Sequence, residues 1–166
     1  QFTLDQWKIK QAFALEGRGP AFVSLAEMPA PELVGVIVAN ELLDNLPVRL
    51  LEMGADGWVE VMVGLDDVGG FVEHLVPCTV GPDLDLPTGS RIPYQAGAQR
   101  WVETALEILD RGRLVLVDYG DETPAMARRD WRSWLRTYRS HGTGIDPLQD
   151  VGGQDITCEV ALDQIR

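Results

Sequence analysis

This sequence predicts a layered α/β domain organised on a parallel sheet. Two apolar runs end abruptly in polar and ionisable residues, and a stretch with helical periodicity lies just before the second. The first run, Val36-Ile37-Val38-Ala39 behind Gly35, leads into Asn40-Glu41 and on to Asp44. Its Val and Ile content reads as a strand covered on both faces, as in parallel sheets flanked by helices. The second, Arg113-Leu114-Val115-Leu116-Val117, runs into Asp118-Tyr119-Gly120-Asp121. Between Tyr94 and Arg111, Ala98, Trp101, Val102, Ala105, Leu106, Ile108 and Leu109 recur at helical spacing, and Gly112 reads as the helix stop. Strand, excursion, helix, strand is the βαβ order that imposes parallel pairing with a right-handed crossover. Neighbouring strands would put Asn40 and Glu41 beside Asp118 and Tyr119 on the carboxyl edge, where such sheets bind ligands.

The remaining elements are read in chain order. Trp7 to Leu15 has the pattern of a polar amphipathic helix, and Glu16-Gly17-Arg18-Gly19 is the turn that ends it. Within the excursion, Arg49–Met53, Trp58–Val63 and Gly70–Val76 alternate and are separated by Gly54-Ala55-Asp56-Gly57 and by Asp66 to Gly70, which predicts an antiparallel β-meander inserted over residues 49–76. Residues 77–93 hold Pro77, Pro82, Pro87 and Pro93 with Gly81 and Gly89, a composition suited to a surface loop. Arg128 to Arg139 holds five of the fourteen basic residues, interleaved with Trp131, Trp134 and Tyr138. It reads as a helix packed on its aromatic side, with arginines paired to the protein's own carboxylates. Residues 1–166 are read as one domain.

Composition excludes several functions. With 166 residues, 45% hydrophobic and 24% charged, the chain has enough apolar material for a substantial core. A net charge of −12 argues against affinity for nucleic-acid backbones and suits a basic partner. No apolar run approaches bilayer length. Cys78 and Cys158 form no Cys-x-x-Cys pair, so neither a disulfide framework nor a zinc site is indicated, and a reducing cytoplasmic setting is the default.

Four blocks carry a resemblance. Asn40-Glu41-Leu42-Leu43-Asp44-x-Leu46-Pro47-Val48 resembles the Asn-Glu-x-x-Asp-Ala-Leu-Pro-Val signature of the MidA-like S-adenosylmethionine-dependent methyltransferases, relatives of a mitochondrial complex I assembly factor. Val117-Asp118-Tyr119-Gly120, Leu135-Arg136-Thr137-Tyr138-Arg139-Ser140-His141 and Asp155-Ile156-Thr157-Cys158-Glu159-Val160 follow in that family's order. Cys158-Glu159 departs from the usual Ala-His, and Arg91-Ile92-Pro93-Tyr94 stands where a Glu-bearing segment is common. The resemblance implies part of a Rossmann-like class I methyltransferase sheet and S-adenosylmethionine as cofactor. It further implies a protein substrate, with arginine the acceptor in the best-known members. It also implies more chain on either side, because no apolar strand with a Glu-x-Gly-x-Gly loop is present and Gln1 is not an initiator Met. Mitochondrial residence therefore stays open.

Methyl transfer from a sulfonium is an in-line displacement, so catalysis is chiefly positioning. A guanidinium is a permanently charged fork of donors that needs carboxylates to hold it. Glu41 and Asp44 are the candidates for that clamp, and His141, Tyr138 and Arg136 fall toward the rim through the resemblance. Asn40, Asp118 and Tyr119 are expected on the cofactor side, while Asp155 and Thr157 either close the pocket or cap a turn. This chemistry requires no metal. The expected partner is a basic or arginine-bearing protein, and an unpaired sheet edge in so short a piece would favour a homodimer. Two other readings compete: a non-catalytic assembly module without its own cofactor loop, and a hydrolase using Asp118 as nucleophile, which lacks a Gly-x-Ser-x-Gly elbow.

Overall fold

A computed structural model describes residues 33–140 and 142–166. The expected Trp7–Leu15 helix, the Glu16–Gly19 turn and His141 lie outside them. The described chain is mixed α/β, with its strands in four small sheets.

Strand β1 (Leu33–Asn40) lies parallel to β6 (Leu109–Val117), with Asn40 opposite Val117, so the two polar strand ends share one edge. Burial corrects the sequence reading. Ala39 is buried on one face, whereas Val34, Val36 and Val38 are 57%, 58% and 65% exposed on the other, so the described residues cover β1 on one side only. Helix α1 (Ala96–Ile108) packs Ala98 and Val102 against Leu43 and Val160, with Leu114 and Leu116 of β6 alongside. The helix stops at Ile108 and β6 starts at the next residue, so Gly112 is not its stop. Gly112 sits inside β6 instead, where an added Cβ would fall 1.8 Å from the Gly35 carbonyl oxygen. Glycine is there for backbone approach between paired strands.

Strands β2 (Arg49–Met53), β3 (Trp58–Leu65) and β4 (Phe71–Pro77) pair antiparallel in sequence order. A fourth strand, β5 (Arg91–Tyr94), joins β2 on the opposite edge, so the end of the proline-rich segment is a strand and not loop. Pro93 is tolerated because an edge strand can spare one N–H. Cross-strand charges lock this sheet. Arg49 donates to Glu60 at 2.7 and 2.5 Å, which raises the guanidinium pKa and lowers that of Glu60. Arg91 donates to both Glu73 and Glu52. Leu51 and Ile92 form the buried floor with Ala127.

The basic segment departs most from expectation. A short helix, α2 (Thr123–Met126), is followed by a 3-10 turn at Trp131–Ser133 and by strand β8 (Leu135–Arg139). Asp130 accepts the Arg132 N–H and starts the turn. Trp134, fully buried beside Met126 and Cys158, donates its indole N–H to the Met126 carbonyl and fixes where the strand begins. Strand β8 then pairs antiparallel with β9 (Gly142–Thr143) and β10 (Asp155–Cys158). The arginines do pair with internal carboxylates: Arg129 and Arg136 with Glu159, Arg132 with Asp146, Arg139 with Asp150. Strands β7 (Gly120–Asp121) and β11 (Val160–Ala161) run parallel and bring the Asp118 tip against the end of β10. Buried Gln95 ties α1 to this junction, donating to the Glu159 carbonyl and accepting from the Ala161 N–H. Among the described residues no helix is long and apolar enough to cross a membrane.

Candidate active site

At the carboxyl edge of β1 and β6 the backbone turns sharply. Glu41 has φ +46°, in the left-handed region that costs a side-chain-bearing residue energy, and its N–H is held by the Val117 carbonyl at 2.8 Å. The chain then makes a 3-10 turn over Leu43–Asn45. Asp118, at the tip of the neighbouring strand, fixes that turn. Its Oδ2 accepts the N–H of Leu43 at 2.9 Å and of Asp44 at 3.3 Å, and its Oδ1 accepts the Tyr119 N–H at 3.0 Å. The carboxylate thereby stands in for the missing partners of a short helix start.

The turn aims Asp44, which is 5% exposed, at Tyr119. The tyrosine hydroxyl donates to Asp44 Oδ2 at 2.8 Å, and the Asn45 amide donates to Oδ1 at 2.7 Å. Burial, with the Asp44 carboxylate also contributing, pushes the Tyr119 hydroxyl up to about 12, so it stays a donor across the physiological range. Arg136 lies over the Tyr119 ring, 5.1 Å from its centroid, and donates to Glu159 Oε1 at 3.0 Å. Arg129 takes the other oxygen of Glu159 at 2.6 Å.

These groups border an open cavity of about 680 Å³, lined by Glu41, Asp44, Asn45, Tyr119, Gly120, Arg136, Tyr138, Asp155, Thr157 and Glu159. One face of β8 and β10 supplies Arg136 and Tyr138, Asp155 and Thr157, because alternate strand residues share a face. Among the described residues no cation pairs with Glu41, Asp44 or Asp155, whereas Glu159 is taken by two arginines. Two buried polar atoms on the lining, Arg136 Nε and Thr157 Oγ1, have no hydrogen-bond partner among the described residues. The carboxylates and the Thr157 hydroxyl suit a cationic group that offers several donors, whereas Arg136 Nε, a donor itself, calls for an acceptor.

Of the residues singled out from the sequence, Glu41, Asp44, Tyr119, Tyr138, Asp155 and Thr157 come together on the cavity wall. Asp118 stands behind the wall with both oxygens on main-chain N–H groups, and Asn40 ends β1 at the exposed strand tip. Thr157 and Asp155 belong to a strand and not to a turn cap. The sequence reading missed Asn45 and treated Glu159 only as a departure from the family pattern. The alternation Asp155-x-Thr157-x-Glu159 was the available signal, once the segment is read as a strand.

Residues 6–166 match a family model described as "Putative S-adenosyl-L-methionine-dependent methyltransferase". Over 146 residues the chain is 27% identical to the protein arginine methyltransferase NDUFAF7 homolog, mitochondrial, of Caenorhabditis elegans, covering 78% of this chain and 32% of that one. It is similar in structure, with TM-score 0.74 and 32% identity, to a "likely methyl transferase" from Burkholderia thailandensis bound to S-adenosyl-homocysteine, over 83% of this chain and 37% of that one. A native structure of a protein from the same organism matches equally well, over 82% and 38%. The chain thus spans about a third of the length of these relatives.

Proposed function

The chain belongs to this S-adenosyl-L-methionine-dependent methyltransferase family, and from that premise we propose that its acidic cavity is the acceptor side of a methyl-transfer site that holds a basic protein side chain, arginine first among them. The observation that carries the proposal is the carboxylate set Glu41, Asp44 and Asp155, which has no cationic partner among the described residues and faces one open cavity at a parallel strand edge. A guanidinium presents five N–H donors in one plane, and two carboxylates from the same turn match two of its edges. Asp44 is the fixed half of the clamp, since Tyr119 and Asn45 occupy one lone pair on each oxygen and leave the others free. Glu41, exposed at the mouth, is the half that can pass a proton to solvent as the acceptor nitrogen is alkylated.

S-adenosylmethionine, when bound, supplies an electrophilic methyl on a positively charged sulfonium. The residues present fit such a group, because a cavity whose carboxylates Glu41, Asp44 and Asp155 have no cationic partner among the described residues favours a cation. Asn40 at the exposed strand tip and Tyr119 on the cavity wall are the residues we assign to it. We assign Asp118 the holding of the Leu43–Asn45 turn. In finer detail, β1 and β6 are read as neighbouring strands of a Rossmann-like class I sheet, with β2 to β4 as an inserted meander within a single domain.

The test is transfer of radiolabelled methyl from S-adenosylmethionine to an arginine peptide by the protein, with Asp44→Asn and Glu41→Ala beside it. Removing one partner from a partly buried charged contact costs about 2–5 kcal/mol, so Asp44→Asn should lower kcat/KM on the order of a hundredfold. Undiminished transfer by both variants would refute the clamp. Cofactor binding without transfer to any basic side chain would favour an assembly role.

A further inference from the structure

The acidic cavity does not end at Asp155. It runs into a second, larger hollow of about 1440 Å³ that shares Asn45, Tyr138 and Asp155 with it and continues between Pro47 and the Gly152–Ile156 stretch. The second hollow carries a different lining. Its cation, Arg139, is paired with Asp150 at 3.1 Å, and Ile156 and Tyr138 are about half and about a third exposed. A side chain bound in the first cavity would have its main chain emerging here.

The register shows what that main chain would meet. Glu159 donates its N–H to the Trp134 carbonyl, and the antiparallel pairing Asp155↔Tyr138, Thr157↔Arg136 continues the same set. In an antiparallel ladder the hydrogen-bonded pairs alternate, so Asp155, Thr157 and Glu159 turn their main-chain groups toward β8, and Ile156 turns its N–H and C=O away. The other side of β8 agrees, because the Thr137 carbonyl, opposite Ile156, accepts the Gly144 N–H on the β9 side. Among the described residues strand β10 is an edge strand and the Ile156 N–H and C=O have no main-chain partner, and Ile156 borders the second hollow. A free donor and acceptor at a sheet edge are what an extended polypeptide pairs with.

We propose that this groove, from Asn45 and Pro47 across to Ile156, binds the extended polypeptide that flanks the target side chain, with the Ile156 N–H and C=O as its main-chain contacts. The inference rests on the acidic cavity as the basic side-chain site and adds to it that the acceptor is read as part of a chain. Alternate residues of a strand point to one face, so a peptide paired at Ile156 would carry its basic side chain over the Asp155 and Thr157 face toward Asp44. A free amino acid or small guanidine would fill only the first cavity.

The experiment compares binding of two probes by fluorescence anisotropy competition: ethylguanidine, which has no main chain, and a short glycine-alanine peptide with one central arginine. The peptide should bind at least about tenfold more tightly. Ile156→Pro, which removes the edge donor, should bring the peptide down toward the level of ethylguanidine and leave the latter unchanged. Should Ile156→Pro fail to fold, peptides with a single ester in place of an amide beside the arginine lose the N–H that would donate to the Ile156 carbonyl and so test the companion edge contact from the ligand's side. Equal affinity of the two probes, or a peptide advantage untouched by both changes, would overturn the groove. Failure of both probes to bind would instead refute the acidic cavity as a basic side-chain site, and the groove with it.

Discussion

Removing the Asp118 carboxylate should release the turn that carries Asp44 while leaving the strands in place. In Asp118→Ala, the N–H groups of Leu43 and Asp44 lose an acceptor at 2.9 and 3.3 Å. A hydrogen bond to a charged group contributes about 1.5–3 kcal/mol. The second contact is long and both are only partly buried, so roughly 2–4 kcal/mol is a fair sum for the pair. Local opening of the Leu43–Asn45 turn should become easier by that amount, which lowers hydrogen-exchange protection of these two N–H groups by roughly thirtyfold to a thousandfold. The amides of Leu114 and Leu116 in the neighbouring strand serve as the internal reference. Their protection should change far less, because parallel pairing with β1 does not depend on the carboxylate. Asp118→Asn, which keeps one acceptor oxygen, should fall between the two. Unchanged protection at Leu43 and Asp44, or an equal loss at Leu114, would refute the assignment of Asp118 as the local clamp.

Two further outcomes test other parts of the structure. Gly112→Ala places a Cβ 1.8 Å from the Gly35 oxygen and should cost about 1–3 kcal/mol in urea unfolding, whereas Gly35→Ala on the partner strand meets only a Leu33 methyl at 3.9 Å and should be far milder; equal effects would sink the close-approach account. Burial, with the Glu159 charge added, pushes the Cys158 thiol up to about 12, above its value in the unfolded chain. The unfolded thiol therefore ionises first, so stability is complete below about pH 9 and falls as pH rises toward 12, by up to ~1.4 kcal/mol per unit. Cys158→Ala should flatten that alkaline slope, and identical slopes for the two proteins would show that another group is responsible.

The two parallel strands were legible because an apolar run of that length, closed off by polar residues, reads as a strand, which also put Glu41 and Asp118 at the strand ends and Asp44 just beyond; that β1 is covered on one side only by the described residues was not legible. The segment after Arg128 was not. Trp131, Trp134, Leu135 and Tyr138 stand at the spacing of one helix face, yet Leu135 and Thr137 against Arg136 and Tyr138 also fit the two sides of a strand. The choice is made by distant partners: Cys158 and Ile156 pair alongside, and the Thr137 hydroxyl donates to the Ile145 carbonyl. Local pattern holds no record of those contacts. The same applies to Pro93, whose strand exists only because β2 lies beside it, and to the left-handed Glu41, a conformation imposed by the Val117 carbonyl across the strand pair. Glu159 is the sharpest case. Its departure from the family pattern is visible in the sequence, but its meaning depends on two arginines that arrive from different elements.

Those arginines raise the question of how a cavity proposed to take a cation can have Arg136 on its wall. The answer lies in what the guanidinium is already doing. Arg136 shares Glu159 with Arg129, and Arg129 also has Asp121 at 3.7 Å, so two positive groups sit among two carboxylates outside the Glu41–Asp44 turn. The flat side of Arg136 meets the electron-rich face of Tyr119, an attraction of about 0.5–1 kcal/mol at a partly exposed site. This contact holds the ring with its hydroxyl on Asp44. The arginine thus spends its charge on keeping the acceptor carboxylate in position, and Glu41, Asp44 and Asp155 are left to set the sign of the cavity. Replacing Glu159 by a neutral residue would free Arg136 to answer those carboxylates itself, and the cation proposed for this cavity would then meet a competitor on its wall.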